Sequence, residues 1–443
     1  MWNVDDLFVL SDLHLAAERN AGLFRADADL ANCLHWILKD ARHSLTILAG
    51  DVLDFLVPNG TRPTGGFERL GERTQQIVEH HPEVFEALAA LAHSPKHRLV
   101  IMSGNHDPEL IFPEVQEAVE RSLGLSYMNS TVRWLVQGEA LRLRVGNAVV
   151  VVEHGNRLDP WNRINYAALQ SALSLSSRNL PTAGDYRPPL GTRLVLEVVN
   201  ELRDSHPWVD CLKPETETVL PILWHFATGE QRLRLSYLAD DYFNTKSVAF
   251  IQKIGNAHSP ERLYKGASEA EYSPADRNFK DWVDVINDKR RLTLSSEEGE
   301  RRLIEKLRTV SAQDSFFDTD KPDDSTADLR PVFEGGADLI VQGHTHSAKA
   351  CALEGGFYLN TGTWGQLLRL RKSNESDEVW REFLGLLRTN DVQGFRRPTF
   401  ARVRHRQGKD VTTAELLEWQ QSGPKKLSAS QFSDRRTGWR MKE

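Results

Sequence analysis

Short apolar segments that end in glycine or polar residues recur through the first 155 residues of the chain. Each is rich in large or β-branched apolar residues and is too short for a helix, which predicts a buried β-strand. These segments are 7–15, 45–51, 97–105 and 148–156. The intervening residues 26–40 and 82–93 have the apolar spacing of helices, and Pro82 opens the second without losing a hydrogen bond. Alternating strands and helices predict an α/β fold with functional groups at the carboxyl ends of the strands.

The pattern changes after residue 157, where helical spacing dominates and strand patterns are scarce. Residues 311–330 are rich in Asp, Ser and Thr, which predicts an exposed or disordered linker. Strand patterns return at 337–346 and 356–364. Residues 399–407 alternate with a period of two, which predicts an edge strand with one solvated face.

These changes of pattern predict the domain organisation. A core in two parts, residues 1–156 and 331–410, is expected to be interrupted by a helical insertion or cap at 157–330 that ends in the acidic linker. The density of aromatic and apolar residues at 206–226 favours a folded cap. Lys and Arg residues recur in 411–443, which predicts a basic C-terminal tail.

Composition places the chain among ordinary globular proteins. Of its 443 residues, 40% are hydrophobic and 26% are charged, and the formal net charge is −7. That charge offers no global attraction to nucleic acid or anionic membranes, and no apolar stretch approaches the roughly 20 residues of a membrane span. The three cysteines include no Cys-x-x-Cys pair, which disfavours a disulfide scaffold and a zinc knuckle. Because a strand begins at residue 7 and leaves no room for a signal peptide, we expect a cytoplasmic protein.

Residue types that bind metals follow five of the predicted strands. They are Asp12 and His14, Asp51 and Asp54, Asn105 with His106 and Asp107, His154, and finally His344 and His346. Carboxylates and imidazoles that converge at the end of buried strands commonly hold a divalent metal. Taken alone, "GNHD" is also typical of a turn and "GHTH" of a surface loop. The ordered set of five motifs predicts a metal site.

The series D-x-H, G-D-x-x-D, G-N-H-D, H-G and G-H-x-H resembles the calcineurin-like metallophosphoesterases. The resemblance covers residues 7–156 and about 335–365. It implies a four-layer αββα sandwich with two metals at its edge, interrupted here by a large, mainly helical insertion. By the resemblance, Asp51 bridges both metals. Asp12, His14 and His346 would complete the first site, and Asn105, His154 and His344 the second.

The resemblance also implies a chemistry. A metal-bridging hydroxide would attack phosphorus in line, while two divalent cations about 3.5–4 Å apart offset the charge on the phosphoryl oxygens. Mixed imidazole and carboxylate ligands favour Mn²⁺, with Fe or Zn as alternatives. His106 is not a ligand in the family and is expected to stabilise or protonate the leaving oxygen, with Asp107 holding its ring.

Several assignments stay open at this level. Asp54 either orients a neighbouring side chain or caps the following segment. Arg157 and Arg163 either contact a substrate phosphate or form surface salt bridges. The motifs "SDLHL" and "HGNRLDP" are similar to the UDP-2,3-diacylglucosamine hydrolase branch. However, Asn156 stands where that branch commonly has aspartate, and His106 where it typically has arginine.

Three functions are therefore weighed. The first is hydrolysis of a phosphodiester or pyrophosphate bond in a small, phosphate-containing, nucleotide-like substrate. The second is a nuclease of the same chemistry, which would need a positive groove such as the basic residues at 396–409 could supply to DNA or RNA. The third is a catalytically silent scaffold, which the complete ligand set disfavours. The sequence does not indicate an oligomeric state.

Overall fold

The computed structural model describes residues 2–18, 23–40, 43–57, 67, 69–126, 130–180, 186–203, 205–226, 296–406, 411–433 and 438–441. The chain divides into two compact units. The first unit comprises Met1–Thr192, Phe316–Gln366 and Arg396–Glu443, and the second comprises Arg193–Ser315 and Leu367–Phe395.

The strands of the described residues are, in chain order, β1 (Trp2–Val4), β2 (Asp6–Leu10), β3 (Ser44–Ala49), β4 (His97–Met102), β5 (Val132–Leu135), β6 (Leu141–Val145), β7 (Ala148–Val152), β8 (Leu212–Lys213), β9 (Leu339–Gln342), β10 (Ala348–Leu353), β11 (Gly356–Thr361), β12 (Gln366–Arg369), β13 (Phe395–Arg396), β14 (Thr399–Arg406), β15 (Val411–Gln420), β16 (Gly423–Phe432) and β17 (Trp439–Met441).

The α-helices are α1 (Asp27–Asp40), α2 (Leu70–His80), α3 (Pro82–Ala92), α4 (Pro113–Ser122), α5 (Tyr166–Ser176), α6 (Leu190–Leu194), α7 (Asn200–Arg203), α8 (Glu215–Phe226), α9 (Ser296–Gln313), α10 (Arg330–Glu334) and α11 (Asp377–Thr389). A π-helical segment, Val195–Val199, joins α6 to α7. Short 3₁₀ turns occur at Pro108–Ile111, Asn156–Leu158 and Asp324–Thr326.

Two β-sheets form the centre of the first unit. The larger has the strand order β17-β16-β15-β14-β2-β3-β4-β5, and the smaller has the order β1-β6-β7-β9-β11-β10. Strands β2 to β5 pair in parallel, as do β7, β9 and β11. Parallel strands need crossover connections, and α1 and α3 lie in those between β2 and β4, as the apolar spacing of 26–40 and 82–93 predicts.

Strand β2 shows why its apolar run is continuous. Leu7 and Val9 belong to the apolar cluster between the two sheets, while Phe8 and Leu10 belong to the cluster that includes α1 and α3. Successive side chains point to opposite faces, so a strand covered on both faces needs apolar residues at every position. Burial of each large apolar side chain stabilises the fold by about 1.5–3 kcal/mol.

The smaller sheet is covered on both faces as well. Its inner face supplies Val150 and Leu359 to the cluster between the sheets, and its outer face packs against Phe333 of α10. Helices therefore cover the outer face of each sheet, and the two inner faces share one core. This arrangement confirms the predicted αββα sandwich.

The C-terminal residues differ from the expectation of a basic tail. Residues 411–433 form β15 and β16, which extend the larger sheet, and the predicted edge strand, β14, lies inside that sheet between β2 and β15. Val403 of β14 pairs with Leu7 on one side and Ala414 on the other. Both expectations were wrong for the same reason. Apolar side chains of β15 are buried in the apolar clusters on both faces of the larger sheet, so β15 belongs to the fold and covers the edge of β14.

The predicted linker at 311–330 is also structured where it joins the first unit. The carbonyl oxygen of Thr319 accepts a hydrogen bond of 2.7 Å from the backbone N–H of Ala350 in β10. The carbonyl oxygens of Phe316 and Asp318 accept from Ser347 Oγ and Lys349 Nζ at 2.6 and 2.9 Å. Backbone groups make these contacts, so the polar composition of the segment did not indicate them.

The second unit contains helices and a short parallel strand pair. Helix α8 packs against α9, and α9 packs against α11. Leu212 pairs with Leu368, and Trp208 Nε1 donates a hydrogen bond of 2.6 Å to the carbonyl oxygen of Leu387.

The boundaries of the second unit differ from those expected of the insertion. The unit begins at Arg193 rather than at residue 157, and it includes Leu367–Phe395, which the sequence assigned to the core. Residues 227–295 of the predicted insertion lie outside the described residues. The role of this region as a cap stays a prediction.

Candidate metal centre

Loops at the carboxyl ends of five strands carry the seven predicted metal ligands. Asp12 and His14 follow β2, Asp51 follows β3, and Asn105 follows β4. The ligand His154 follows β7, and His344 with His346 follows β9. Because the neighbouring strands are parallel, their carboxyl ends meet at one edge of each sheet.

Three groups among the described residues have ligand-type atoms that all lie within 4.8 Å of one another. The groups are Asp12, His14 and His346; His14, Asp51 and His106; and Asp51, His154 and His344. His14 and Asp51 each occur in two of them, and Asp51 Oδ2 lies 3.9 Å from His14 Nε2 and 3.3 Å from His154 Nε2, so this carboxylate faces ligands of both halves of the centre. The structure therefore brings together the six charged or imidazole ligands that the sequence singled out.

The backbone at these positions is unusual. Asp12, His14, Asp51, His344 and His346 have φ angles of 52°, 51°, 51°, 70° and 60°. Side chains other than glycine adopt this left-handed region only at a cost of order 1–3 kcal/mol each, and such residues cluster at functional sites. Hydrogen bonds between the loops stabilise this strained backbone. The N–H of Asp12 donates to Gly50 O at 3.1 Å, and the N–H of His14 donates to Asp51 O at 2.9 Å.

The first half of the centre is formed around two imidazole nitrogens. Nε2 of His14 lies 2.9 Å from Nε2 of His346, and the latter lies 3.4 Å from Asp12 Oδ1. The opposite nitrogen of His14, Nδ1, lies 3.2 Å from Asp54 Oδ2. A ring that donates Nδ1–H to a carboxylate presents the lone pair of Nε2 to its other side. Asp54 has both of the roles considered for it: it orients His14, and its Oδ1 accepts a hydrogen bond of 2.9 Å from the backbone N–H of Leu56 in the following segment.

The second half is formed around His154. Its Nε2 lies 3.3 Å from Asp51 Oδ2 and 3.2 Å from Asn105 Oδ1, while its Nδ1 lies 2.9 Å from the carbonyl oxygen of Ala49. Since a carbonyl can only accept, Nδ1 carries the proton and Nε2 is available as a ligand. The amide oxygen of Asn105 adds the seventh predicted ligand to the same place.

Charge compensation within the centre fits a divalent cation. Burial raises the pKa of the Asp51 carboxyl, but the charges of His154 and His106 outweigh burial and hold that pKa well below its usual range. Burial lowers the pKa of His154, but the Asp51 carboxylate outweighs it and raises that pKa to about 9. A protonated His154 thus offsets the charge of the buried Asp51 carboxylate in the metal-free protein, and a bound cation would replace that proton. The residues present fit a pair of metal ions.

Close approach between the loops requires glycine at two positions. A Cβ atom on Gly104 would lie 2.1 Å from Asp51 Oδ1 and 2.7 Å from both Asp51 N and His154 Nε2. A Cβ atom on Gly343 would lie 2.3 Å from Asp12 Oδ2. These glycines let the backbone pass directly behind the carboxylates that the centre needs.

His106 is held differently from the expectation. Its ring nitrogen Nδ1 lies 3.4 Å from Asp54 Oδ1, and its ring lies 4.6 Å from that of His14. The Asp107 carboxylate instead accepts backbone N–H groups of Gly104 at 2.6 Å and Val52 at 2.7 Å. Asp107 therefore joins the loops after β3 and β4, a role that its position beside His106 in the sequence did not suggest.

The pKa values of these two carboxyls differ. Burial and the Asp51 charge raise the pKa of Asp107 to about 7, against the lowering effect of its backbone donors. At Asp54 burial also raises the pKa, but the charge and hydrogen bond of His106 outweigh it and leave the pKa far below its usual range. Asp54 is thus ionised near neutral pH and able to accept from both histidines.

The two predicted substrate arginines lie at the surface. Nη1 of Arg157 donates to Gly138 O at 2.9 Å, and Nε of Arg163 donates to Arg157 O at 3.0 Å. The structure does not bring them into a hydrogen bond with a predicted ligand, and their phosphate-binding role stays a prediction.

Asp159, which the sequence reading missed, lies closer to the centre than either arginine. Its Oδ2 lies 3.1 Å from His344 Nε2. Burial raises the pKa of Asp159, but the hydrogen bond and charge of His344 outweigh it and lower that pKa below its usual value.

Comparison with known proteins decides the family. The family model for calcineurin-like phosphoesterases matches residues 7–348, a span that contains all seven predicted ligands. The chain belongs to the calcineurin-like phosphoesterase family. Membership of this metal-dependent family implies a phosphoester hydrolase, and a phosphoester substrate is consistent with it.

Other comparisons add little. One solved structure, a conserved uncharacterized protein from Streptococcus pneumoniae TIGR4 described as a predicted phosphoesterase, is 9% identical, with a TM-score of 0.25 and coverage of 96% of this chain and 97% of that chain. At that TM-score the likeness supports no conclusion about this calcineurin-like phosphoesterase. No curated protein matches the chain significantly. Among the described helices, none combines the length and apolar character needed to cross a membrane.

Proposed function

We propose that this protein is a dinuclear metal-dependent hydrolase of a phosphodiester or pyrophosphate bond in a small, nucleotide-like substrate. The observation that carries the proposal is the convergence of ligand-type atoms from five strand ends around Asp51, whose Oδ2 lies 3.9 Å from His14 Nε2 and 3.3 Å from His154 Nε2. A single structural metal would not need seven ligand side chains, and the shared carboxylate is what two adjacent cations require.

The ligands divide between two metals. Asp12, His14 and His346 would hold the first together with Asp51, and Asn105, His154 and His344 would hold the second with Asp51 as well. Two divalent cations bound there would neutralise phosphoryl charge and lower the pKa of water. Imidazole, carboxylate and amide donors without cysteine favour Mn²⁺, with Fe and Zn as the alternatives.

His106 supplies the proton that the leaving oxygen needs. Nδ1 of its ring faces Asp54 and keeps its proton there, so the proton available to the leaving oxygen would be the one on Nε2 of the imidazolium form. The side chain is 21% exposed, which leaves one edge of the ring open to a bound ligand. Arg157 and Arg163 follow His154, are exposed, and would contact an outer phosphate of a pyrophosphate substrate.

The nuclease alternative is weakened by the charges around the C-terminal strands. Two arginines of β14 are paired with acids: Arg402 with Glu415 at 2.6 Å, and Arg404 with Asp6 and Asp40. An arginine already neutralised by a carboxylate adds little to a groove that must attract a phosphate backbone. The small-substrate hydrolase is therefore the favoured function.

A hydrolysis panel tests the proposal. The purified protein with Mn²⁺ is assayed on bis(p-nitrophenyl) phosphate, p-nitrophenyl phosphate, UDP-sugars and single-stranded DNA. Asp51→Asn removes the shared charge, and Asp328→Asn, an exposed position, makes the same chemical change away from the centre. We expect cleavage of the diester or a UDP-sugar by the wild type and Asp328→Asn, and none by Asp51→Asn. Preferred cleavage of DNA would favour the nuclease, and equal activity of both variants would refute the two-metal assignment.

A further inference from the structure

The carboxylate of Asp159 holds the ring of a proposed metal ligand. Its Oδ2 lies 3.1 Å from His344 Nε2. The carboxylate is itself fixed by the backbone N–H of Trp161, 2.8 Å from Oδ1, and by Asn162 Nδ2, 2.7 Å from Oδ2. Because two donors from its own loop anchor Asp159, the imidazole of His344 must orient to the carboxylate rather than the reverse.

The other nitrogen of the same ring lacks a protein partner. Nδ1 of His344 is buried, and the part of the chain that the structure describes offers it no hydrogen-bond partner. A buried polar atom left unpaired is costly, and one that lies beside other ligand-type atoms points to a ligand. The ring also belongs to the group of Asp51, His154 and His344, in which the ligand-type atoms lie within 4.8 Å.

These two observations determine which nitrogen is free to bind. An ionised carboxylate only accepts hydrogen bonds, so the proton of a neutral His344 ring resides on Nε2 and the lone pair on Nδ1. A carboxylate that fixes the tautomer and orientation of an imidazole raises the basicity of that imidazole as a metal ligand.

We propose that Asp159 is a positioning residue for the second metal: it holds His344 with the proton on Nε2 and directs Nδ1 toward the position shared with Asp51 and His154. The inference rests on the proposed function, since it requires a metal at that position. The loop that follows His154 would then orient a ligand of the metal centre in the first unit.

Metal titration of matched variants tests this role. Metal-free wild type, Asp159→Ala, Asp159→Asn and Glu153→Gln are titrated with Mn²⁺ by calorimetry, and the bound metal is counted after gel filtration. Glu153 is the control because it precedes His154 and carries the same charge, but its Oε1 accepts from Gln342 Nε2 at 2.7 Å rather than from a histidine. Melting of the metal-free proteins and turnover across Mn²⁺ concentrations are measured in parallel.

We expect Asp159→Ala to bind the first Mn²⁺ as the wild type does and the second 10–100-fold more weakly, by analogy with other residues that orient metal ligands. Asp159→Asn is expected to be intermediate, because an amide oxygen accepts from Nε2–H without the charge. Turnover of Asp159→Ala should return at saturating Mn²⁺, which a loss of folded structure would not allow. Glu153→Gln should match the wild type.

The outcomes separate this inference from the proposed function. Two Mn²⁺ ions bound by Asp159→Ala with wild-type affinity would overturn the positioning role and leave the hydrolase proposal intact. Equal weakening in Glu153→Gln would overturn it as well, because loss of charge alone would explain the effect. A wild type that binds fewer than two metals would overturn both. If Asp159→Ala does not fold, Asp159→Asn decides by the same criteria.

Discussion

Gly104→Ala adds one methyl group at the point where the loops after β3 and β4 meet. The new Cβ would lie 2.7 Å from the backbone nitrogen of Asp51, which cannot rotate away as a side chain can. An ordinary contact of about 3.4–4 Å is restored only if the loops separate by about 1 Å. That movement shifts Asp51 relative to His154, and a displacement of about 1 Å in a catalytic site can cost about 100-fold in rate.

The expected result is therefore a loss of about 100-fold in kcat, with about 1–3 kcal/mol of destabilisation from overpacking. Turnover of bis(p-nitrophenyl) phosphate with Mn²⁺ and chemical denaturation measure the two effects. Gly385→Ala is the matched control, because it makes the same change in α11 with no atom within 4 Å of the new Cβ. In a helix interior it should stabilise by up to about 1 kcal/mol and leave kcat unchanged. Wild-type turnover by Gly104→Ala would refute the described approach of the two loops.

Two further predictions concern pH. Burial raises the pKa of Glu109 from about 4.5 in the unfolded chain to about 7 in the folded protein. The neutral Glu109 carboxyl therefore contributes its full stability below pH 4.5. About 3 kcal/mol of that stability is lost as pH rises through 7 and the buried carboxyl ionises. In urea unfolding, Glu109→Gln should therefore gain stability relative to the wild type as pH rises from 5 to 8. A difference between the two proteins that does not change with pH would contradict this. The pKa of about 9 at His154 in the metal-free protein means that metal binding at pH 7 expels a proton. Mn²⁺ affinity should rise from pH 6 to pH 9, with a proton released as measured by calorimetry in buffers of different ionisation enthalpy; an affinity that does not change with pH would argue against His154 as a ligand.

Much of the centre followed from local patterns. The loops after β2, β3, β4, β7 and β9 carry the ligands because each apolar run ends where its strand reaches the edge of the sheet. Parallel pairing then brings those strand ends together, so ligands far apart in the chain could be assigned to one centre from the sequence alone. The left-handed backbone of Asp12 and His344 was not predictable, because neither residue type marks that conformation as glycine does.

Other features depended on contacts between distant residues. Asp159 reaches His344 across 185 positions, and no local pattern distinguishes it from any aspartate that opens a turn. Asp54 is a partial case: its hydrogen bond from the Leu56 N–H is local, but its contacts with His14 and His106 come from separate loops. The strands at 411–433 were missed because Lys425 and Lys426, together with the basic residues after position 433, suggested a tail. In β15 the apolar positions are few and are interrupted by Glu415 and Glu418. Their pairing with β14 supplies the stability that composition did not indicate.

The pairing of β7 with β9 bears on how the protein matures during synthesis. Val152 lies opposite Val341 although the intervening chain includes the whole of the second unit's first segment. During translation, the strands from β2 to β7 emerge with five of the proposed ligands, while His344 and His346 are still unmade. A nascent chain can therefore build much of the larger sheet early, but it cannot complete either metal position until residue 346 has left the ribosome. Interrupted synthesis would release fragments with an incomplete metal centre, and hydrolytic capacity would arise only with the full first unit.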